Sequence, residues 1–145
     1  MGYNARLNPM TSGAGFGSVA TNGSAHTVIL SPAGAGQILG ARFINGLTST
    51  VASGTTAGSA LNVYVYKTAS DTAASAVASA RLGAVATAAT AALTMSTSTA
   101  LTRFSNGDVY LAELIGGAGN NVSNAGCRVQ VAYMYAHTVT DSATP

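Results

Sequence analysis

The sequence predicts an all-β protein: an antiparallel β-sandwich, jelly-roll-like, with an extended N-terminal arm. Three observations predict this class. The 145 residues have the usual length of one domain. Roughly six to eight short segments have the composition of strands, with turn signals between them. No segment has the pattern of the strand–helix–strand unit that builds a parallel sheet, so an antiparallel sandwich or jelly roll is favoured.

Residues 1–24 are dominated by Gly, Asn, Ser and Thr, with larger side chains spaced among them. Such a segment cannot offset its ordering entropy by folding on itself. We therefore expect an extended arm, anchored along its own domain or on a neighbouring molecule. A β-sandwich domain over residues 25–138 and a flexible tail over residues 139–145 would follow. The arm side chains expected to contact a partner are Tyr3, Arg6, Leu7, Met10 and Phe16.

Three strands are predicted in the first half of the domain. Residues 26–31, HTVILS, form a short β-branched run, and residues 37–46, QILGARFING, form a second strand. Residues 61–68, LNVYVYKT, alternate strictly between apolar and polar or aromatic side chains, so one side of this strand is predicted to face the core. The residues on that side are Leu61, Val63 and Val65, and those on the other side are Asn62, Tyr64 and Tyr66.

Residues 69–100 are rich in Ala, Ser and Thr. Ala favours helix, but Gly83 and the many Ser and Thr residues interrupt or compete with helical hydrogen bonding. The larger apolar residues are also not at helical spacing. Short strands and loops are therefore favoured, with a short helix over residues 72–80 as the alternative.

The last third contains two further strands. The turn Ser105-Asn106-Gly107-Asp108 leads into residues 109–115, VYLAELI, and we expect the Asp108 side chain to cap the turn backbone. Residues 127–135, CRVQVAYMY, alternate again, with Cys127 as a small buried hydrophobe. Because a Gly- and Asn-rich loop joins the two segments, we predict that they form an antiparallel hairpin.

Glu113 lies in the middle of the apolar segment VYLAELI, on the same side as Val109, Leu111 and Ile115. A carboxylate in this position is either a structural partner of a base or a catalytic group. Catalysis requires a second positioned group, and the nearest acid, Asp108, belongs to the turn. We predict that Glu113 pairs with a base across the strands, with Arg128 as the first candidate, and that the protein is not an enzyme.

Charged residues make up 7% of the chain, against about 25% in an ordinary soluble domain. The six Lys and Arg residues are scattered and form no basic stripe, so nucleic-acid binding is not predicted. The net charge of +2 leaves little repulsion between copies, which favours self-association or docking on a large assembly. Residues 82–102 are uncharged but too rich in Thr and Ser for a membrane helix.

No cofactor or metal is predicted. His26, His137 and Cys127 lack the spacing of a metal site. The Gly-rich residues 34–40, GAGQILG, imitate a dinucleotide fingerprint, but a strand rather than a helix is predicted after them, so no helix N-terminus would hold a phosphate.

Several segments resemble small structural proteins of tailed phages. The block FSNGDVYLAELIGGAGNN…CRVQVAYMY, residues 104–135, is similar to the final hairpin of many of these proteins, in which a hydrophobic residue, a turn and Gly-Asp-Val lead into a strand. The segments AGQILGARFINGLTST and LNVYVYKTASDT resemble their earlier strands. The resemblance covers residues 26–137.

The resemblance implies a capsid decoration, or cement, protein. Such a protein would be made in the host cytoplasm and would lie on the outer surface of the virion, bound to the major capsid protein. It would bridge neighbouring capsid subunits as a homo-oligomer, with a trimer favoured and a dimer as the alternative. A carbohydrate- or receptor-binding module of a tail fibre is the second hypothesis, with sugar stacking on Tyr64, Tyr66, Tyr110 and Tyr135.

Overall fold

Ten β-strands and one helical turn occur in the structure, a computed structural model that describes residues 9–16, 23–46, 61–67, 75–83, 89–116 and 127–136. The strands are β1 (Met10–Gly15), β2 (Ser24–Leu30), β3 (Gly36–Asn45), β4 (Leu61–Tyr66), β5 (Ala78–Leu82), β6 (Thr90–Ala92), β7 (Thr94–Met95), β8 (Arg103–Phe104), β9 (Tyr110–Ile115) and β10 (Cys127–Tyr135). The helical turn α1 spans Thr99–Thr102.

The strands form two antiparallel sheets that pack against each other. The first sheet has the order β1-β10-β3-β6, with β8 also paired to β3, and the second has the order β2-β9-β4-β5-β7. The first strand thus pairs with the last, the second with the ninth, the third with the sixth and the fourth with the fifth. This nested pairing is the jelly-roll arrangement, and it confirms the predicted fold class.

Strict alternation along the strands builds the core between the two sheets. Successive side chains of a strand point to opposite faces, so every second residue of β4 enters the core. Leu61, Val63 and Val65 are fully buried, as the sequence predicts. Cys127 is also fully buried, and burial raises the pKa of its thiol to about 11, so the thiol stays protonated at neutral pH.

Aromatic rings cluster at one end of this core, which elsewhere consists mostly of aliphatic side chains. The ring of Phe104 meets those of Tyr110, Tyr133 and Tyr135 edge-on, with centroid distances of 6.3, 6.1 and 5.6 Å. The Tyr110 hydroxyl donates to the carbonyl oxygens of Leu101 and Arg103, and burial raises the pKa of Tyr110. This cluster ties the helical turn to both sheets.

The predicted hairpin of β9 and β10 is wrong. β9 lies in the second sheet between β2 and β4, whereas β10 lies in the first sheet between β1 and β3. In a jelly roll the last two strands belong to opposite sheets, so the Gly- and Asn-rich segment between them joins the sheets rather than closing a turn. Local turn composition does not distinguish these two connections.

The middle of the chain forms short strands where it is described. β5, β6 and β7 lie within residues 69–100, in agreement with the favoured prediction. Of the alternative helix over residues 72–80, residues 78–80 belong to β5 and residues 72–74 lie outside the described residues. Ser75, also within that range, has 3₁₀-helical geometry. A helical turn lies later, at Thr99–Thr102, where the N–H groups of Leu101 and Thr102 donate to the carbonyl of Ser98.

Part of the predicted arm belongs to the sandwich. β1 pairs along its whole length with β10, from Met10 opposite Tyr133 to Gly15 opposite Arg128. Anchoring along its own domain, one of the two alternatives, therefore holds for these residues. Residues 1–8 and 17–22 lie outside the described residues, as does the predicted tail over residues 139–145.

The predicted turn at residues 105–108 is present. The Asp108 N–H donates to the Ser105 carbonyl at 3.2 Å, and Gly107, with φ of 92°, occupies the left-handed region that glycine favours. The Asp108 carboxylate accepts a 2.7 Å hydrogen bond from the Ser105 N–H, which confirms the predicted cap. Lys67 Nζ lies 3.3 Å from the same carboxylate oxygen. The Ser105 N–H and then Lys67 lower the pKa of Asp108.

Replacing Asp108 by Asn is expected to lower the free energy of unfolding at pH 7 by about 0.5–1 kcal/mol, since the group is partly exposed. A lowered folded-state pKa stabilises the protein at pH values above the unfolded-state pKa, and this contribution is lost as the pH falls through the folded-state pKa. The variant should therefore lose less stability than the wild type below about pH 4. Urea unfolding at pH 7, 5, 4 and 3 measures this difference. Asn106→Ala, in the same turn, is the control and should keep the wild-type pH dependence.

Candidate functional site

The carboxylate of Glu113 lies on the outer face of the second sheet, at the centre of a row of paired residues. The strand register places Glu113 opposite His26 of β2 on one side and opposite Tyr64 of β4 on the other. Val28 and Leu111 form the next pair of the same face. We call this surface the Glu113 face and define it by His26, Val28, Tyr64, Leu111, Glu113 and Ile115.

Both oxygens of the Glu113 carboxylate have a partner. His26 Nε2 lies 3.0 Å from Oε1, and the Tyr66 hydroxyl donates a 2.8 Å hydrogen bond to Oε2. The side chain of His26 is 54% exposed and that of Glu113 is 15% exposed. The three side chains join β2, β9 and β4 across the outside of the sheet, so the carboxylate is fixed in place by its neighbours.

Arg128, the base predicted to pair with Glu113, does not do so. It lies on β10 in the first sheet, where it stands opposite Ile44 of β3 and Gly15 of β1. The prediction assumed the hairpin of β9 and β10, and it is wrong because these strands lie in different sheets. His26 and Tyr66 are the partners that sequence reasoning missed. Their only signal was a polar or aromatic position in an alternating strand, and the pairing of β2, β9 and β4 is needed to connect them to Glu113.

The Glu113 face also carries apolar and aromatic side chains. Val28 is 52% exposed, and Leu111 and Ile115 are half-buried on the central strand β9. The ring of Tyr64 stacks on that of Tyr66, with centroids 5.8 Å apart and planes 18° apart. The face therefore combines the hydrogen-bonded Glu113 carboxylate with mostly apolar and aromatic neighbours.

The four tyrosines proposed for sugar stacking do not form one exposed patch. Tyr64 and Tyr66 lie on the outside of the second sheet, but Tyr66 is buried. Tyr110 is fully buried in the core. Tyr135 is half-buried on β10 of the first sheet, where its hydroxyl accepts a 3.3 Å hydrogen bond from the Ala33 N–H.

The arm residues predicted to contact a partner differ in their exposure. Met10 begins β1 and is 42% exposed, so it remains accessible to a partner. Phe16 is buried against the core of its own chain, and its N–H donates to the Cys127 carbonyl at 3.0 Å. Its side chain is therefore used within the domain. Tyr3, Arg6 and Leu7 lie outside the described residues.

The outer face of the first sheet has a different character. Arg42 of β3 stands opposite Gln130 of β10 and donates to its Oε1 from Nε at 2.8 Å and from Nη2 at 2.6 Å. A shallow hollow of about 390 Å³ adjoins this pair, floored by short side chains such as those of Ala92 and Ala132 and by Gly40. Another cavity, of about 450 Å³, lies at one end of the sheet beside Arg103 and Tyr135.

Among the described residues, no three His, Cys, Asp or Glu side chains are grouped in a way that could hold a metal ion. Within the same ranges, no helix has the length and apolar composition needed to cross a membrane. Comparisons of the chain with protein-family models, with curated proteins and with solved structures found no match.

Proposed function

We propose that the protein is a non-enzymatic structural component of a bacteriophage virion. It binds the outside of the capsid and stabilises it by bridging neighbouring capsid subunits, with the major capsid protein as its partner. The resemblance of residues 26–137 to small tailed-phage structural proteins supports this proposal. The jelly-roll fold is compatible with it, since capsid and lectin domains both use the fold, but a fold alone does not assign a function.

The observation that carries the proposal is the composition of the Glu113 face. An antiparallel sheet that faces water usually has polar side chains on its outer side. Here, exposed Val28 and half-buried Leu111 and Ile115 lie around the contact between Glu113 and His26. Covering these side chains with another protein surface stabilises an assembly by about 25 cal/mol for each Å² of apolar area removed from water. The face is therefore suited to contact between copies, as a trimer or, alternatively, a dimer.

The low net charge and the large number of copies on a capsid both favour stable binding. The net charge of +2 opposes close association of copies only weakly. Each contact with the capsid can be weak, because an oligomer that binds several sites at once gains affinity through the high effective concentration of its second and third sites. Many such bridges on one shell would resist the pressure of the packaged genome.

The mass of the protein in solution, measured by light scattering, tests the oligomer, and co-sedimentation with capsids of the phage that encodes the chain tests the partner. We expect a defined trimer or dimer that saturates the capsids at a fixed ratio. Val28→Lys should reduce the mass to that of one chain, because it places a charge within the covered face. Leu39→Lys, at a residue of the first sheet that is 43% exposed, is the matched control and should leave the mass unchanged.

A monomer that does not bind the capsids would contradict the proposal. A trimer or dimer whose mass is unaffected by Val28→Lys would instead place the contact between copies on a surface other than the Glu113 face.

Carbohydrate or receptor binding is the second candidate, because the partly exposed ring of Tyr64 lies beside the polar groups of Glu113 and His26. Aromatic rings next to hydrogen-bonding groups suit a sugar ring, which has apolar and polar sides. Glycan-array binding that is lost in Tyr64→Ala, together with absence of capsid binding, would favour this candidate over the first.

A further inference from the structure

We propose that the outer face of the first sheet binds the carboxylate of an Asp or Glu side chain on the surface of a partner protein, with Arg42 as the receiving group. Only the identity of that partner, the capsid subunit, rests on the proposed function. We call this surface the Arg42 face and define it by Thr11, Gly40, Arg42, Arg128, Gln130 and Ala132.

Among the described residues, the acids have basic partners, whereas two of the arginines have no acidic partner. Both described acids have a positively charged or ionisable partner, Glu113 in His26 and Asp108 in Lys67. Over the same ranges, neither Arg42 nor Arg128 forms an ion pair with an acid. Positive charge is therefore in excess on the structured surface, although the total number of charged residues is small.

Arg42 and Arg128 lie on the same face of the first sheet. Gln130 stands opposite Arg42, and Arg128 precedes Gln130 by two residues on β10, so both arginines point to the outer side. Both are exposed. The neighbouring outward positions are occupied by small or uncharged residues, among them Thr11, Gly40 and Ala132. Two guanidinium groups thus share this face with no acid among its described residues.

Arg42 is held in a fixed orientation by a neutral partner. Its Nε and Nη2 groups both donate to Gln130 Oε1, at 2.8 and 2.6 Å. These two bonds use two of the five N–H donors of a guanidinium and leave three for another acceptor. Because Gln130 carries no charge, it fixes the plane of the guanidinium without neutralising it. An arginine oriented in this way loses less side-chain entropy when it binds a carboxylate.

The hollow beside Arg42 provides room for the aliphatic part of an acidic side chain. This shallow hollow of about 390 Å³ lies between Thr11, Gly40, Ala92 and Ala132, beside Arg42 and Gln130. A methyl group added at Gly40 would meet no atom within 4 Å, so the space above this residue is open. An acidic side chain can place its methylene groups on this floor and its carboxylate on the guanidinium.

An acidic protein surface fits this face better than a nucleic acid does. Binding a phosphate backbone requires many cationic contacts, since its affinity depends on the release of several counterions. Two arginines above an apolar floor instead match one or two carboxylates on a protein surface. In the capsid complex, the Arg42 face would contact the shell. The Glu113 face lies on the opposite side of the sandwich and would contact other copies of the protein.

The first test uses an acidic probe without any virus. A peptide containing four consecutive Glu residues is titrated into the protein, and the Nε–H signals of the arginine side chains are followed by NMR. We expect the Arg42 signal to shift with this peptide and not with the matched four-Gln peptide. Gly40→Val, which places a side chain in the hollow and leaves Arg42 in the sequence, should weaken the response. No shift of the Arg42 signal, or an equal shift with the Gln peptide, would overturn the inference.

The second test measures capsid affinity by co-sedimentation at several salt concentrations. Arg42→Glu should weaken binding by about tenfold or more, because it opposes the partner's carboxylate with a like charge. Arg103→Glu, the same charge change at an exposed residue elsewhere on the first sheet, is the matched control and should stay within about twofold of the wild type. Circular dichroism and thermal unfolding verify that each variant is folded.

The two tests separate this inference from the proposed function. Capsid binding that Arg42→Glu leaves unchanged would overturn the inference while the capsid function stands. A wild type that ignores capsids but binds the Glu peptide through Arg42 would support the inference and contradict the capsid function. Equal Arg42-dependent binding of vesicles that contain phosphatidylserine would overturn the assignment to a protein partner.

Discussion

Replacing Phe43 by Ala is expected to lower the free energy of unfolding by about 3–5 kcal/mol. Phe43 is fully buried near the C-terminal end of β3, where it stands opposite Val129 of β10 and Ala91 of β6. The substitution removes a whole ring from beside two smaller paired residues, Val129 and Ala91. Since Val and Ala neighbours have few rotamers with which to fill the space, a cavity would remain and add to the lost transfer free energy.

Urea unfolding followed by circular dichroism measures this loss, which is a large part of the about 5–15 kcal/mol that stabilises an ordinary domain. Leu39→Ala is the matched control, because Leu39 lies on the same strand but is exposed. It should change the free energy of unfolding by about 0.5 kcal/mol or less. A loss below about 1 kcal/mol for Phe43→Ala would contradict the position of this ring at the centre of the core.

Replacing Gly36 by Ala is expected to cost about 1–3 kcal/mol, although it adds only a methyl group. A Cβ atom at Gly36 would overlap the carbonyl oxygen of Met134 and the ring of Phe104. Neither neighbour can move easily. The carbonyl belongs to the paired strand β10, and the Phe104 ring is held among Tyr110, Tyr133 and Tyr135.

Gly40→Ala, four residues further along β3, is the matched control, because its added methyl group would meet no atom within 4 Å. Without a clash, Ala restricts the unfolded chain and should stabilise the protein slightly, by up to about 1 kcal/mol. Thermal unfolding of both variants side by side gives the comparison. Equal midpoints for Gly36→Ala and Gly40→Ala would show that the close approach at Gly36 does not limit stability.

The fold class was predictable because its signals are local. Alternation along residues 61–66 alone identifies which side of β4 enters the core, and the Asn-Gly turn before β9 requires a left-handed residue that only a few residue types supply. In the same way, the composition of residues 69–100 was enough to favour short strands over helix where the chain is described.

The site was not predictable from such signals, because its contacts join distant parts of the chain. Tyr66 and Glu113 are 47 residues apart, and Arg42 and Gln130 are 88 residues apart. Identifying either pair requires the order and register of the strands. Many antiparallel arrangements of the same segments are compatible with the sequence pattern, so the pattern does not determine that order. The prediction for Arg128 is wrong for this reason, because the composition of one loop does not determine a strand pairing that depends on the whole sandwich.

The nested pairing of the strands also governs how a newly made chain can fold. Residues 10–15 leave the ribosome before the other described strands, but their partner strand, residues 127–135, is made more than a hundred residues later. β2 likewise cannot pair until β9 has been synthesised, whereas β4 and β5 can pair as soon as both have left the ribosome. Closing such large loops before the contacts are made slows folding. Until β9 and β10 are synthesised, the nascent chain exposes unpaired apolar strands, so this is the stage at which we expect the chain to be most prone to aggregation.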